Sequence, residues 1–305
     1  MTLTQLIEAT MSDVSRFALA RRAAPLSLLV AAAALGGCVD QPKPGCISTT
    51  NAFAVKLIAV GGPNESIAGA CTGFGPDGFN ALPEIGISPY YARGSDGQPD
   101  YERGSIAIQT AEIGSFFYTA QGFDVGNATD GTIYSLGNFT SAKPDDANFC
   151  NVPELSPTRL VLPALAEIPD DPATEEDDES FPGQAAVDAT LEWSNVRIYV
   201  TPDTFGTQMD ADLVDTRINE AGDTCTFTYR ALGLAPAVSC AATDANGPLL
   251  NADGSPVLAP ELCEPEADPA NGRPVGSGIS PSARWECDPV TAFCVIEGDT
   301  VPAIQ

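Results

Sequence analysis

Apolar and polar positions alternate along much of the chain, which is the pattern of β-strands with one buried face. The clearest case is the segment Val187–Thr201, in which every second residue is apolar up to Trp193. After Ser194 and Asn195 the apolar positions shift by one residue. A shift of this kind moves side chains to the other face of a sheet, so it predicts a β-bulge or a turn at this point.

The same alternation predicts several further strands. The segments are Ala52–Val60, Ser105–Thr110, Ser115–Ala120, Thr132–Thr140, Met209–Leu213 and Cys225–Ala231. No apolar period of 3.6 residues persists for three turns without a proline or glycine, and the best helical candidate, Thr158–Ile168, contains Pro163. Short strands separated by turn residues predict an all-β fold, either a β-sandwich or a flattened barrel with long loops rich in proline, glycine and acidic residues.

The first 37 residues have the pattern of an export signal. Arg16, Arg21 and Arg22 precede an uncharged, mostly apolar run that ends at residue 39. A membrane-spanning helix needs about 20 apolar residues, and this run is shorter and contains Pro25. We therefore predict that residues 1–37 are a signal peptide. Translation from Met11 would give a more usual leader of 27 residues.

The apolar run ends in Leu35-Gly36-Gly37-Cys38, which resembles the lipobox of bacterial lipoproteins. The resemblance implies that signal peptidase II cleaves between Gly37 and Cys38. Cys38 would then carry diacylglycerol and an amide-linked acyl chain such as palmitate. In the enteric version of this family an aspartate directly after the lipidated cysteine marks inner-membrane retention. Val39 occupies that position here, which implies the outer membrane. The alternative is an ordinary secretory signal with a coincidental cysteine.

Eight cysteines remain in the chain once Cys38 is set aside. They are Cys46, Cys71, Cys150, Cys225, Cys240, Cys263, Cys287 and Cys294. An even number in an exported protein predicts four disulfides that staple the β fold. Three of the eight lie before residue 151 and five after it, so complete pairing needs at least one bridge between the two halves. Cys287 and Cys294 are the most local candidate pair.

We predict one body behind a short tether. Residues 38–50, with Pro42, Pro44 and Gly45, are the predicted tether, and residues 51–305 form a single β-rich domain. Within that domain, residues of about 167–186 form an acidic loop, with seven acids between Asp170 and Glu179. We expect no cofactor and no metal. The alternative is that this loop binds Ca²⁺, a cation that takes clustered carboxylate oxygens.

Composition excludes several classes of function. The chain of 305 residues has no histidine, so Ser-His-Asp and Cys-His nucleophile activation and histidine-ligated zinc are excluded. It carries 14 lysines and arginines against 41 acids, for a formal net charge of −27. Nucleic acid is therefore not an expected partner, because binding phosphates requires clustered basic residues.

Two groups of residues are candidates for carbohydrate chemistry. Asp210 and Asp212 lie on one strand face and are the best pair for a glycoside hydrolase, which needs two carboxylates, one of them with a raised pKa. The solvent-facing side of a strand is the simpler interpretation. The aromatic residues that could bind sugar rings are Trp193, Trp285, Tyr90, Tyr91 and Tyr101. Trp193 alternates in phase with Leu191 and is predicted to be core, whereas the tyrosines lie in a polar stretch.

The leading hypothesis is an exported lipoprotein of the cell envelope, anchored to the outer membrane by lipid, with a non-catalytic binding or structural role. Its expected partners are the membrane and an envelope protein or polysaccharide. The alternatives are a carbohydrate-binding or adhesion module and a carboxylate-dependent glycoside hydrolase.

Overall fold

The computed structural model describes residues 44–72, 84–122, 132–167, 183, 185–245 and 247–304. The strands are β1 (Ala52–Glu65), β2 (Glu84–Arg93), β3 (Pro99–Thr110), β4 (Ser135–Asn138), β5 (Phe149–Glu154), β6 (Thr158–Leu162), β7 (Val187–Val200), β8 (Phe205–Ile218), β9 (Thr224–Leu234), β10 (Thr243–Asp244), β11 (Gly247–Pro248), β12 (Trp285–Cys287) and β13 (Cys294–Ile296). Helix α1 spans Ala111–Gly122, and 3₁₀ turns lie at Pro260–Cys263 and Pro269–Asn271. None of these helices is long and apolar enough to cross a membrane.

Nine strands form one antiparallel sheet that nearly closes on itself. Its order is β4-β3-β2-β1-β9-β8-β7-β5, and β6 also pairs with β7. The two ends of this order meet where Gly137 forms a bridge with Leu155 and the amide of Thr140 donates to the carbonyl oxygen of Asn151 at 2.9 Å. The all-β prediction is confirmed, and of the two predicted architectures the structure has the flattened barrel.

The interior of the barrel is filled by the side chains at every second position of the strands, which point inward. Ile85 and Ile87 of β2, Ile106 and Ile108 of β3, and Trp193 of β7 are almost fully buried there. Burying a side chain of this size contributes about 1.5–3 kcal/mol, so this interior is the main source of stability for the barrel. The predicted core position of Trp193 is confirmed.

A second hydrophobic core lies on the outside of the barrel, beneath the chain that follows β9. Leu232 and Leu234 point outward from β9 and pack with Cys240, Ile279 and Ile296 of this C-terminal layer. Since Ala231 and Tyr229 fill the interior, the end of β9 is buried on both faces. The C-terminal layer therefore covers one side of the barrel and leaves the outer face of β2, β3 and β4 outside this second core.

All eight predicted cysteines form disulfides. The pairs are Cys46–Cys150, Cys71–Cys225, Cys240–Cys287 and Cys263–Cys294. The bridge predicted between the two halves is Cys71–Cys225. The local pair Cys287–Cys294 was wrong. These residues face each other across the β12–β13 hairpin, but Cys287 is bonded to Cys240 and Cys294 to Cys263. The two disulfides therefore fasten the hairpin to the rest of the C-terminal layer.

Two other predictions need correction. Residues 115–120, predicted as a strand, lie in α1, because Ile113 and Phe116, three residues apart, together reach the core. The helical candidate Thr158–Ile168 is instead β6 over Thr158–Leu162, which pairs with β7. By contrast, the bulge predicted after Ser194 is confirmed, since the β7–β8 register shifts between Ser194 and Arg197.

Candidate functional site

A cleft of about 760 Å³ opens at the end of the barrel where β1 begins. It is lined by Gly45, Ile47, Gly94, Ser95, Asp96, Pro99, Asp100, Tyr101, Glu102, Ala142, Lys143 and Phe205. These residues come from the β2–β3 hairpin, the segment before β1, the loop after β4 and the first residue of β8. Small-molecule sites are usually clefts of about 300–1,000 Å³, so this cleft is large enough for a ligand.

A large bulge in β3 places Tyr101 in the cleft. Tyr91 pairs with Gly104, yet the next residue of β2, Ala92, pairs with Asp100. Residues 101–103 of β3 therefore have no partners in β2 and are pushed out of the ladder. Bulges often redirect a side chain in this way. Here the bulge lays the ring of Tyr101 against the ring of Tyr91, with centroids 4.8 Å apart.

Another part of the cleft lining belongs to residues 44–49, which we call the entry segment. Cys46 holds it through the disulfide to Cys150 and through its amide, which donates to the carbonyl oxygen of Ala142 at 2.8 Å. The hydroxyl of Tyr91 donates to the carbonyl oxygen of Cys46 at 2.6 Å. The entry segment is thereby fixed to β2, β5 and the loop after β4 before the chain enters the barrel.

Phe205 reaches the cleft because the next residue is a glycine. Gly206 has a positive φ of 69°, and a Cβ there would come within 2.7 Å of the carbonyl oxygen of Ile47. The amide of Thr49 donates to the carbonyl oxygen of Gly206 at 3.1 Å. This close approach fastens the start of β8 to the entry segment and leaves Phe205 49% exposed at the cleft.

The polar part of the cleft is predominantly acidic. Asp96, Asp100 and Glu102 line it together with one basic residue, Lys143. The pKa of the Asp100 carboxyl lies below its usual value, chiefly because the Arg103 side chain donates a hydrogen bond to it at 2.6 Å. Burial, together with the neighbouring Tyr101, raises the pKa of Tyr91 to about 12. At neutral pH the Tyr91 hydroxyl is therefore uncharged and the Asp100 carboxyl is ionised.

The predicted aromatic residues do not gather into one platform. The structure brings Tyr91 and Tyr101 together, whereas Trp193 is in the barrel interior, 2% exposed. Trp285 packs half-buried against the second core, and Tyr90 is exposed without lining the cleft. Phe205 was not predicted as a site residue, since it lies 104 positions after Tyr101 and nothing in its local sequence marks it.

The candidate pair Asp210 and Asp212 lies on the outer face of β8, away from the cleft. Two arginines, Arg197 and Arg230, form ion pairs with Asp210, whose side chain is 6% exposed. Burial alone would raise the pKa of Asp210, but the hydrogen bonds from Arg230 and Arg197 lower it overall. Asp210 is therefore held ionised, the opposite of what a general acid needs. Asp212 is exposed and accepts a hydrogen bond from Asn195 at 2.7 Å.

A buried ion cluster lies at the other end of the barrel, where α1 follows β3. The Arg217 guanidinium is bonded to Asp215 at 2.6 Å and to Glu112 at 2.8 Å, and all three side chains are nearly inaccessible. Burial raises the pKa of Glu112 although Arg217 acts in the opposite direction. This cluster connects α1 to β8 inside the fold, so its role is to hold the helix in place.

Among the described residues, the one group of three or more Cys, Asp or Glu side chains whose ligand atoms all lie within 4.8 Å of one another is Cys240, Cys263 and Cys294. Each of these sulfurs is already bonded in a disulfide. The acidic loop of about 167–186, and the Ca²⁺ hypothesis that depends on it, lies almost entirely outside the described residues, as do Gly37 and Cys38.

Comparison with known proteins places this fold in a family. A family model described as MlpA matches residues 52–236, which is the chain from β1 to just past β9. The "Putative lipoprotein MlpA" of Myxococcus xanthus is 24% identical over 288 residues, covering 92% of this chain and 96% of that protein. No solved structure matches the chain. Because the family match spans the whole barrel and more than half of the sequence, the chain belongs to the MlpA family.

Proposed function

We propose that this protein is an exported lipoprotein, anchored through Cys38 to the outer membrane of the cell envelope, with a non-catalytic binding role. The observation that carries the proposal is the cysteine pairing. The chain has nine cysteines, and eight of them are joined in four disulfides. Cys38 is the remaining one. Disulfides support maturation in an oxidising compartment outside the cytosol.

Two further observations support the anchor. The relative in Myxococcus xanthus is named a lipoprotein, and the match to it covers 92% of this chain. Cys38 is also the last residue of the lipobox-like tetrapeptide Leu35-Gly36-Gly37-Cys38. One acyl chain gives only marginal membrane binding, and two or three chains on Cys38 exceed what stable anchoring requires.

The short tether would keep the cleft near the lipid. Eight residue steps separate Cys38 from Cys46, which a fully extended chain spans in at most about 29 Å. The entry segment is fixed by the Cys46–Cys150 disulfide and lines the cleft through Gly45 and Ile47. The cleft end of the barrel would therefore stay close to the membrane surface.

Binding rather than catalysis is supported by the carboxylates. The pKa of Asp100 in the cleft and the pKa of Asp210 on β8 are both lowered by arginine neighbours. A carboxyl that donates a proton at neutral pH needs a raised pKa instead. The pKa of Glu112 is raised, but this carboxyl is buried against Arg217 at the other end of the barrel. Histidine, the commonest proton-transfer residue, is absent from the sequence.

Metabolic labelling with an alkyne analogue of palmitate tests the anchor. We expect label on the wild-type protein and none on the Cys38→Ala variant, which should also leave the membrane fraction. Asp40→Asn, two residues away, is the matched control and should label normally. Label that persists in Cys38→Ala would refute the anchor. On a density gradient we expect the outer-membrane fraction, and recovery with the inner membrane would refute the sorting part of the proposal.

A further inference from the structure

The cleft has the composition of a saccharide site. Two half-exposed aromatic rings and a few polar side chains line it, and this combination suits a ligand that has both C–H faces and hydroxyl groups. We propose that the cleft binds an uncharged saccharide, with Tyr101 stacking on a sugar ring and Asp96, Glu102 and Lys143 hydrogen-bonding its hydroxyls. This inference goes beyond the lipid anchor and does not depend on it.

The aromatic surface is already in place before a ligand arrives. Tyr101 is 46% exposed, but its ring rests on Tyr91, and a Cβ at Gly45 would lie 3.5 Å from it. The hydroxyl of Tyr91 in turn donates a hydrogen bond to the backbone carbonyl oxygen of Cys46. A ring held in this way loses little rotamer freedom on binding, so more of the contact energy appears as affinity.

A second ring extends the apolar part of the cleft. Phe205 comes from β8, and Tyr101 comes from the bulge in β3, so two separate elements of the fold bring their aromatic side chains to one cleft. Both rings are about half exposed. Exposed aromatic rings that converge in a concave site mark a contact surface more often than isolated ones do.

The polar groups fit hydroxyls and select against negative charge. Asp96 and Glu102 present carboxylate oxygens as acceptors, and the ammonium group of Lys143 supplies donors. Asp100 is already paired with Arg103. Asp96 and Glu102 then outnumber Lys143, and this net negative charge disfavours an acidic polysaccharide, a phosphate or an anionic lipid headgroup. The ligand class is therefore a neutral saccharide, with an amino sugar also accepted.

The test uses the full mature chain purified in detergent and isothermal titration calorimetry. The probes are uncharged oligomers of glucose, galactose, mannose and N-acetylglucosamine, a glucosamine tetramer as the cationic arm, and a galacturonate tetramer as the anionic arm. Hexalysine reports binding of a basic peptide. We expect at least one uncharged oligomer to bind and the galacturonate tetramer not to bind.

Substitution at the ring identifies the site. We expect Tyr101→Ala to bind the same oligomer at least tenfold more weakly, which corresponds to about 1.4 kcal/mol. Tyr101→Phe keeps the stacking face and should bind within about threefold of wild type. Tyr134→Ala is the matched control, because Tyr134 is 45% exposed and does not line the cleft. It should bind like wild type.

Three results would overturn the inference. They are binding of none of the uncharged oligomers, equal binding by Tyr101→Ala and wild type, and binding of hexalysine without any sugar, which would make the cleft a site for basic peptides. Calorimetry in detergent does not read out acylation of Cys38. A negative result here and a negative result in the labelling experiment are therefore separate outcomes.

Discussion

The hydroxyl of Tyr91 donates a 2.6 Å hydrogen bond to the carbonyl oxygen of Cys46. This contact joins β2 to the residue whose sulfur is bonded to Cys150. Tyr91 thus both supports the ring of Tyr101 and fixes the entry segment at Cys46. The cleft and the point where the chain enters the barrel are consequently one structural unit.

Tyr91 should make stability fall with pH in the alkaline range. Its pKa is raised from 10.0 to about 12 by burial and by Tyr101, so the folded state binds this proton more tightly than the unfolded state. The resulting stability is fully present below about pH 10 and is lost as pH rises towards 12. Urea midpoints between pH 9 and 12 should fall less in Tyr91→Phe than in wild type.

The control for Tyr91 is its exposed neighbour Tyr90. Tyr90→Phe should retain the alkaline decline of the wild type, because Tyr90 is exposed and lies outside the cleft lining. At neutral pH, Tyr91→Phe should also lose about 1 kcal/mol from the missing hydrogen bond. Identical pH profiles for Tyr91→Phe and wild type would contradict the assignment.

Asp210 should stabilise the barrel, whereas Asp212 should not. Removing the Asp210 charge leaves Arg197 and Arg230 without their shared partner, so Asp210→Asn should lower the free energy of unfolding by about 1–3 kcal/mol. Because the folded-state pKa of Asp210 is lowered, this contribution is present above its unfolded pKa and disappears as pH falls through the folded value. Asp212→Asn, at the exposed position, should change stability by less than about 0.5 kcal/mol. Equal effects in chemical denaturation would show that the ion pairs contribute nothing.

Arg217 should be the most sensitive charged residue of the barrel. Arg217→Met leaves the buried carboxylates of Asp215 and Glu112 without a cation, and breaking a buried pair in this way costs about 3–5 kcal/mol. The control is Arg284→Met, whose pair with Glu297 spans 3.5 Å between half-exposed side chains and should be worth less than about 1 kcal/mol. Thermal unfolding of the two variants measures the difference, and a similar small loss in both would argue against the buried cluster.

The disulfide pairing can be checked directly by non-reducing peptide mapping. We expect Cys240 linked to Cys287 and Cys263 linked to Cys294. A peptide joining Cys287 to Cys294 would restore the local pair that their hairpin positions indicate. Reduction of the four disulfides should produce eight free thiols in the mature protein. Free thiols at any of these eight cysteines before reduction would contradict the pairing.

The alternation of apolar and polar residues was enough to predict the strands and the bulge that depend on local sequence alone. Alternation in Val187–Thr201 identified β7, and the shift of its apolar phase identified the bulge after Ser194. Helix α1 was missed because Phe116 and Tyr118 also fit the two-residue period of a strand. What distinguishes the helix is that Ile113, three residues before Phe116, also packs in the core. Choosing between those periods requires knowing what the segment packs against.

The cleft could not be predicted from the local sequence pattern for the same reason. Tyr101 was singled out as a surface aromatic, but its position depends on a bulge that only the β2–β3 register reveals. Phe205 joins it through the contact of Gly206 with the entry segment, more than 150 residues earlier in the chain. The disulfide partners likewise depend on how distant segments pack, since eight cysteines allow 105 pairings.

The proposed lipid anchor depends on the modification of Cys38. Intact-mass and N-terminal peptide mass spectrometry of the protein extracted from membranes measures it directly. We predict a mature chain that begins at Cys38, with diacylglycerol on its sulfur and an acyl chain on its amino group. A mature chain that begins elsewhere, or an unmodified Cys38, would contradict the proposed anchor.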